Sequence, residues 1–312
     1  MTNPTKEIFD NGLYIFKELL DSNSIESIFK KIINKREFNS SLFQTEEEYH
    51  LERNHLKHNP TKTFNFLNQF DEDLKFIEQN DEINKLITEL LGADYEIVIR
   101  KAVCGVPSSW LPKWVKAKIK GVNVPNLGPY IKDKFRDITY FRGIDFHQDI
   151  IDWPKGKTDL DPSTFMTLYV YIHEVGNRDS PLHLLENSHK LGATLFPHKL
   201  KKIKNKMWIY ENEKGDKVEC KERVLTGKPG YAAIWHNCTL HGTQPVENES
   251  DMFRISLRYL IGKSKNNFHL TYIDQINSNI NGELKPIKTR QDLDELGKPI
   301  LKEKVNLKNE KN

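Results

Sequence analysis

The rhythm of apolar positions changes about a third of the way along this chain. In "NGLYIFKELLDSNSIESIFKKIINK" (11–35) a short strand leads through an Asp/Ser-rich turn into an amphipathic helix. Ser24 is the expected cap, and Ile25, Ile28, Ile32 and Ile33 are expected along the apolar face. "DEINKLITELLGADYEIVIRKAVC" (81–104) predicts a second helix stopped near Gly92, then a strand through 95–103. Beyond it the apolar spacing shortens. "YFRGIDFHQD", "TFMTLYVYIHEV", "PLHLLENSH", "YAAIWHNCTLHGT" and "FRISLRYLIG" are brief β-like runs separated by Gly, Pro, Asn and Asp. Few helical patterns intervene, so the pattern predicts a mainly β fold: an antiparallel sandwich or barrel fronted by helices from the N-terminal third.

Two segments break the pattern. Residues 105–134, "GVPSSWLPKWVKAKIKGVNVPNLGPYIKDK", form a basic, proline-punctuated excursion within a domain expected to span 1–280. Lys113, Lys116, Lys118 and Lys120 alternate there with Trp110, Trp114, Val115 and Ile119. Either this is a solvated amphipathic turn packed on the barrel, or a cover that recruits an anionic substrate. Residues 281–312 are lysine- and glutamate-rich and read as a surface helix with a frayed end.

Composition narrows the classes. With 37% hydrophobic and 29% charged residues in 312, the chain can bury a large core. Its apolar runs are too short to span a membrane, and no basic start precedes an apolar run. A net charge of +3 gives no reason to expect nucleic acid. Cys104, Cys220 and Cys238 are scattered without Cys-x-x-Cys spacing, which fits a reducing cytoplasm.

The chemistry sits in the β-like region. On an extended strand residues i and i+2 face one side, so His147 and Asp149 can aim an imidazole and a carboxylate at one point. His241, at the end of a β-like run before a glycine-containing turn, is the candidate third ligand. Two histidines and one carboxylate hold non-haem Fe(II) while leaving positions open. In "FRISLRYL", Arg254, Ser256 and Arg258 share one strand face, opposite Ile255, Leu257 and Tyr259. Arginines on the inner face of a barrel are costly unless an anion meets them. His189 and His236 read as structural groups behind such a site, and His173 and His183 as surface or loop-packing histidines. His50, His55 and His58 read as a solvated face.

Taken in order, His147-Gln148-Asp149, Asn187-Ser188-His189-Lys190 and His241-Gly242-Thr243 resemble the phytanoyl-CoA dioxygenase family. The step from Asn248 to Arg254 extends the likeness, which covers roughly residues 11–262. The family's Pro-Gly before Ser-His-Lys is Glu186-Asn187 here. The resemblance implies a double-stranded β-helix, or jelly-roll, of cupin-like type, and an Fe(II)/2-oxoglutarate-dependent oxygenase. It implies Fe(II) held by His147, Asp149 and His241, with 2-oxoglutarate and O2 as cosubstrates. Arg254 would grip the distal carboxylate of 2-oxoglutarate, with Arg258 as the alternative anchor. Thr243 would be a cosubstrate contact or a turn-capping hydroxyl. Trp153 stands where ectoine hydroxylase, a member, has a substrate-contacting tryptophan, and is otherwise a core aromatic. No catalytic residue beyond the metal site is expected. An aspartate at 149, rather than the small residue of iron halogenases, implies hydroxylation of a small molecule. Two other readings stay open: a cupin-like metal enzyme that uses no keto acid, and a catalytically silent jelly-roll binding protein.

Overall fold

The computed structural model describes residues 3–16, 20–52, 59–152, 160–244, 250–285, 291–292, 300–301 and 304. Among them are strands β1 (Leu13–Phe16), β2 (Glu96–Gly105), β3 (Thr139–Phe141), β4 (Phe165–Tyr171), β5 (Leu182–Leu185) and β6 (Lys199–Lys204). They continue with β7 (Met207–Glu211), β8 (Lys217–Leu225), β9 (Ala232–His236), β10 (His241–Thr243) and β11 (Arg254–Gly262). The helices are α1 (Pro4–Asn11), α2 (Ser22–Lys35), α3 (Glu46–Leu51), α4 (Asp71–Glu78), α5 (Asp81–Leu91), α6 (Lys113–Ile119) and α7 (Tyr272–Ser278).

The strands form two sheets, ordered β1-β9-β4-β11-β2-β3 and β10-β5-β8-β7-β6. Every pair is antiparallel except β2 with β3. The chain hops from β4 to β5, back from β8 to β9, across to β10 and back to β11. That alternation is the double-stranded β-helix, a mainly β core with helices on its outer side.

Strand parity explains the layers. On β4, Met166, Leu168 and Val170 join Ile255, Leu257, Tyr259 and Ile261 of β11 in one cluster. The apolar faces of α2, α4, α5 and α7 pack into the same cluster. The opposite parity, Tyr169, Tyr171, Ala233 and Trp235, turns inward against Leu182, Leu184 and Leu225 of the second sheet. Strand β4 is buried along its whole length, as a strand covered on both faces must be.

Several local expectations change. Helix α2 is capped by the Asp21 side chain, which accepts the Ser24 N–H, so Ser24 is inside the helix rather than its cap. Ile33 is 37% exposed and lies off the apolar face. Strands β6 to β8 have no counterpart among the predicted runs, because β6 ("KLKKIK") puts lysines where alternation would show. Lysine on an edge strand discourages pairing with other chains. The excursion at 105–134 is built into the helix-side core: Leu111, Val115, Leu127 and Ile131 are buried there. Trp114 packs on Tyr49 and Tyr130, and Trp110 on Phe253. Lys113, Lys116, Lys118 and Lys120 are exposed. Its apolar side chains are thus packed against the domain rather than standing free of it. The start of the 281–312 segment is also tied in, with Ala193 bridging Glu283. Much of the surface helix expected there falls outside the described residues. No helix among the described residues is long and apolar enough to cross a membrane.

The packed excursion makes a thermal prediction. Leu127→Ala should cost about 2–5 kcal/mol, since it opens a cavity in a closed core. Neutralising Lys113, Lys116, Lys118 and Lys120 together should leave stability within about 1 kcal/mol. Denaturant melts of the two variants check both figures, and the reverse ranking would contradict the packed arrangement.

Candidate metal centre

Two short segments make the site by meeting edge to edge. His147 N–H donates to the His241 carbonyl and His241 N–H to the His147 carbonyl, each at 2.9 Å. This antiparallel bridge leaves the two imidazoles 4.3 Å apart, centre to centre. It needs close backbone approach, which Gly242 allows. A Cβ there would lie 2.7 Å from the Ile144 carbonyl oxygen and 2.9 Å from Asp145 backbone atoms. His147 and Asp149 are therefore not on a regular strand, as their spacing had suggested. His147 makes a single bridge, and Asp149 opens the 3-10 turn Asp149–Asp152. His241 likewise begins β10 rather than ending a strand, and Gly242 lies inside it.

Hydrogen bonds select the imidazole tautomers. Nδ1 of His147 lies 3.1 Å from the Asp145 carbonyl, and Nδ1 of His241 lies 3.0 Å from that of Thr239. A carbonyl only accepts, so each Nδ1 carries the proton and each Nε2 keeps a lone pair for a metal. Nε2 of His241 is 3.5 Å from Oδ1 of Asp149. Ligand atoms of His147, Asp149 and His241 all lie within 4.8 Å of one another.

Asp149 is held from three sides. Its Oδ2 accepts from the Thr167 hydroxyl at 2.7 Å and the Trp235 indole N–H at 3.2 Å. Its Oδ1 accepts from Nη2 of Arg258 at 2.6 Å. Burial works to raise the carboxyl pKa, but Arg258 and His241 oppose it and hold it well below the usual carboxylate range. Between the two ligands, Gln148 points the other way and is fully buried. Its amide donates to the carbonyls of Gly192 and Cys238, both at 2.7 Å, and accepts from Thr194 N–H at 3.2 Å. Gln148 thus anchors the ligand segment from behind. Only its alternation with His147 and Asp149 hinted at this in the sequence.

Arg254 is fully buried, and none of its three guanidinium nitrogens has a hydrogen-bond partner among the described residues. Its Cζ lies 5.0 Å from the Phe141 ring, 5.9 Å from Tyr171 and 6.0 Å from Tyr169. Gly105, directly across the β2–β11 ladder, leaves it room. Two further buried hydroxyls on the same inner face, Ser256 Oγ and Tyr169 Oη, are also unpartnered. Tyr169 stacks on Trp235, which donates to Asp149, so the polar groups run from Arg254 to the triad. A dry cation with no anion is costly, and this track fits a carboxylate-bearing ligand whose far end reaches the triad. The donor set likewise fits Fe(II) with open positions.

The other predicted residues fall as follows. Thr243 Oγ1 accepts the Ile144 N–H at 2.9 Å, so its hydroxyl caps the loop before His147. Trp153, Asn248, His55 and His58 lie outside the described residues. His189 is buried behind the site, with Nε2 3.3 Å from the Phe9 carbonyl. His236 faces the helix side, with Nε2 3.0 Å from Asn277 Oδ1. His173 and His183 are not surface groups: the first accepts the Ile255 N–H, and the second pairs with Glu222. His50 is exposed near Glu46. His198, which the sequence did not single out, is locked by Thr194.

No family model and no curated protein matches this chain. Among solved structures, it is similar to the non-heme monooxygenase ThoJ, at 12% identity over 84% of this chain and 77% of that one, with TM-score 0.49. It is similar to the non-heme alpha-ketoglutarate-dependent epimerase SnoN from nogalamycin biosynthesis, at 11% identity over 83% and 81%, with TM-score 0.48. A third is EctD from S. alaskensis with bound Fe, at 11% identity over 86% and 78%, with TM-score 0.45.

The bridge predicts that Gly242→Ala, a one-methyl change, lowers divalent-metal affinity at least tenfold and costs about 1–3 kcal/mol. Metal titration with parallel melting curves tests it, and parent-like affinity would show that the close approach is dispensable.

The buried histidines predict an acid limb. Burial pushes His189 and His198 down to about 3, and His236 to about 4, despite the Asn277 hydrogen bond. Their folded pKa values lie below the unfolded value, so the unfolded chain binds more protons in between. Stability should therefore be full above about pH 6.5 and fall as pH drops toward 4. His236→Gln should flatten that limb in pH-dependent melts, and an unchanged slope would count against it.

Proposed function

We propose that this chain is an Fe(II)/2-oxoglutarate-dependent oxygenase, of phytanoyl-CoA dioxygenase type, acting on a small molecule. The observation that carries this reading is the buried, unpartnered guanidinium of Arg254, joined by a polar track to a His-Asp-His triad. A metal site alone would suit many enzymes. A buried cation awaiting an anion beside it favours a keto-acid cosubstrate over a cupin-like enzyme that uses none, and over a silent scaffold.

His147, Asp149 and His241 would hold the iron, which with 2-oxoglutarate and O2 supplies the power to oxidise a C–H bond, leaving succinate and CO2. Everything else falls to the chain. Arg254 binds the distal carboxylate, a charge-assisted contact that a guanidinium suits better than an ammonium. Ser256 and Tyr169 offer hydroxyls to the same ligand. Phe141, Tyr171 and Leu182 wall it from water and so strengthen the ion pair. Thr167 and Trp235 keep Asp149 oriented, and the Asp145 and Thr239 carbonyls keep both Nε2 atoms unprotonated. Thr243 would act through the Ile144 loop. Three buried, unpaired cysteines support a reducing, cytoplasmic setting.

An anaerobic titration of the protein with Fe(II) and then 2-oxoglutarate, followed by visible absorption and calorimetry, tests this reading. His147→Ala, Asp149→Ala and His241→Ala should each lose metal retention. Arg254→Met should weaken 2-oxoglutarate by about two to three orders of magnitude, the scale of a broken buried ion pair. It should leave metal affinity near the parent's. Without cosubstrate it should also melt higher than the parent, because an uncompensated buried charge has gone. Parent-like 2-oxoglutarate affinity in Arg254→Met would remove the keto acid from the assignment.

A further inference from the structure

Arg258 shares the inner face of β11 with Arg254, yet its surroundings differ. It lies four residues along the strand, about 13 Å at ordinary strand rise, and hydrogen-bonds Asp149, which Arg254 does not. Arg254 is sealed, whereas the Arg258 side chain is 20% exposed and so reaches solvent beside the triad. Among the described residues its hydrogen-bond partner is Oδ1 of Asp149, taken by Nη2 at 2.6 Å. Its Nε and Nη1 donors have no partner there. Asp149 Oδ1 is also the oxygen nearest His241 Nε2, at 3.5 Å, and thus the one a metal would claim. The other oxygen is engaged by Thr167 and Trp235.

Charge then decides the point. With a divalent metal bound, Asp149 is shared between that metal and Arg258. A divalent metal and two arginines, set against one aspartate and the dianion of 2-oxoglutarate, leave one positive charge uncompensated.

We propose that Arg258 is the subsite for an anionic group, carboxylate or oxyanion, on the molecule that is oxidised. This rests on the oxygenase reading and names its substrate class. The unused donors of Arg258 would hold that group at the solvent side of the metal, and Arg254 would hold the cosubstrate at the closed end. The exposed lysines of α6 are not required for it.

The test uses the whole protein loaded with Ni(II) and 2-oxoglutarate, which does not turn over, at low ionic strength. Acetate and sulfate are titrated by calorimetry as carboxylate and oxyanion probes. The parent should bind at least one of them, more weakly as salt rises, and the stronger probe tells the two chemistries apart. Arg258→Gln should weaken that probe at least tenfold, and Arg258→Lys should recover part of the loss. Probe binding is compared with both proteins saturated with Ni(II) and 2-oxoglutarate, because Arg258 also holds Asp149 Oδ1. Absence of probe binding in the loaded parent, or equal binding in Arg258→Gln, would overturn the subsite. Failure of the parent to take up Ni(II) or 2-oxoglutarate would overturn the oxygenase reading itself, and is seen before any probe is added.

Discussion

Two main-chain hydrogen bonds, exchanged between His147 and His241, govern the geometry of this molecule's interior. They join a loop that follows β3 to the first residue of β10, far apart in the chain. Once that bridge closes, the orientation of both rings follows from local carbonyls, at Asp145 and Thr239. Asp149 is then brought in by the turn after the bridge and held by Thr167 of β4 and Trp235 of β9. A candidate ligand set drawn from one strand, an isolated bridge and a 3-10 turn is therefore pinned by separate parts of the sheet scaffold. Rigidity of this kind is what a metal centre needs, since ligand directions must be set before the metal arrives.

How much of this could be read from the residues depended on where physics acts locally. The inner and outer faces of β11 follow from alternation alone, and Arg254, Ser256 and Arg258 fell on the expected side. The three candidate ligands, which the structure brings together, were legible because their chemistry is rare in an apolar setting. The backbone that holds them was not. His147-Gln148-Asp149 suggests a strand, but Asp149 leaves the ladder at once into a 3-10 turn, a choice made by contacts from β4, β9 and β11. The cap of α2 was ambiguous for a simpler reason: "DSNS" offers four residues able to cap, and only the chain's entry angle selects Asp21. Strands β6 to β8 were hidden because an edge strand protected by lysine carries too little apolar alternation to be seen. Partners from distant sequence, such as Gln148 with Gly192 and Cys238, leave no local trace at all.

The interior is also graded in polarity, and the gradient has a direction. At one end Arg254 sits among Phe141, Tyr169 and Tyr171, closed to solvent, where a charge is strongly felt and water cannot screen it. At the other, Arg258 touches a metal ligand and reaches solvent. A protein built only for stability would place neither: each costs desolvation, and well-packed apolar residues of similar volume would serve the core as well or better. Their persistence on one strand face, separated by an unpartnered serine hydroxyl, points to ligands rather than to folding. Among the described residues the Arg254 guanidinium has no hydrogen-bond partner and rests only on aromatic rings, so an anion from outside the chain would offset its burial. A small dianion would satisfy that demand at the closed end.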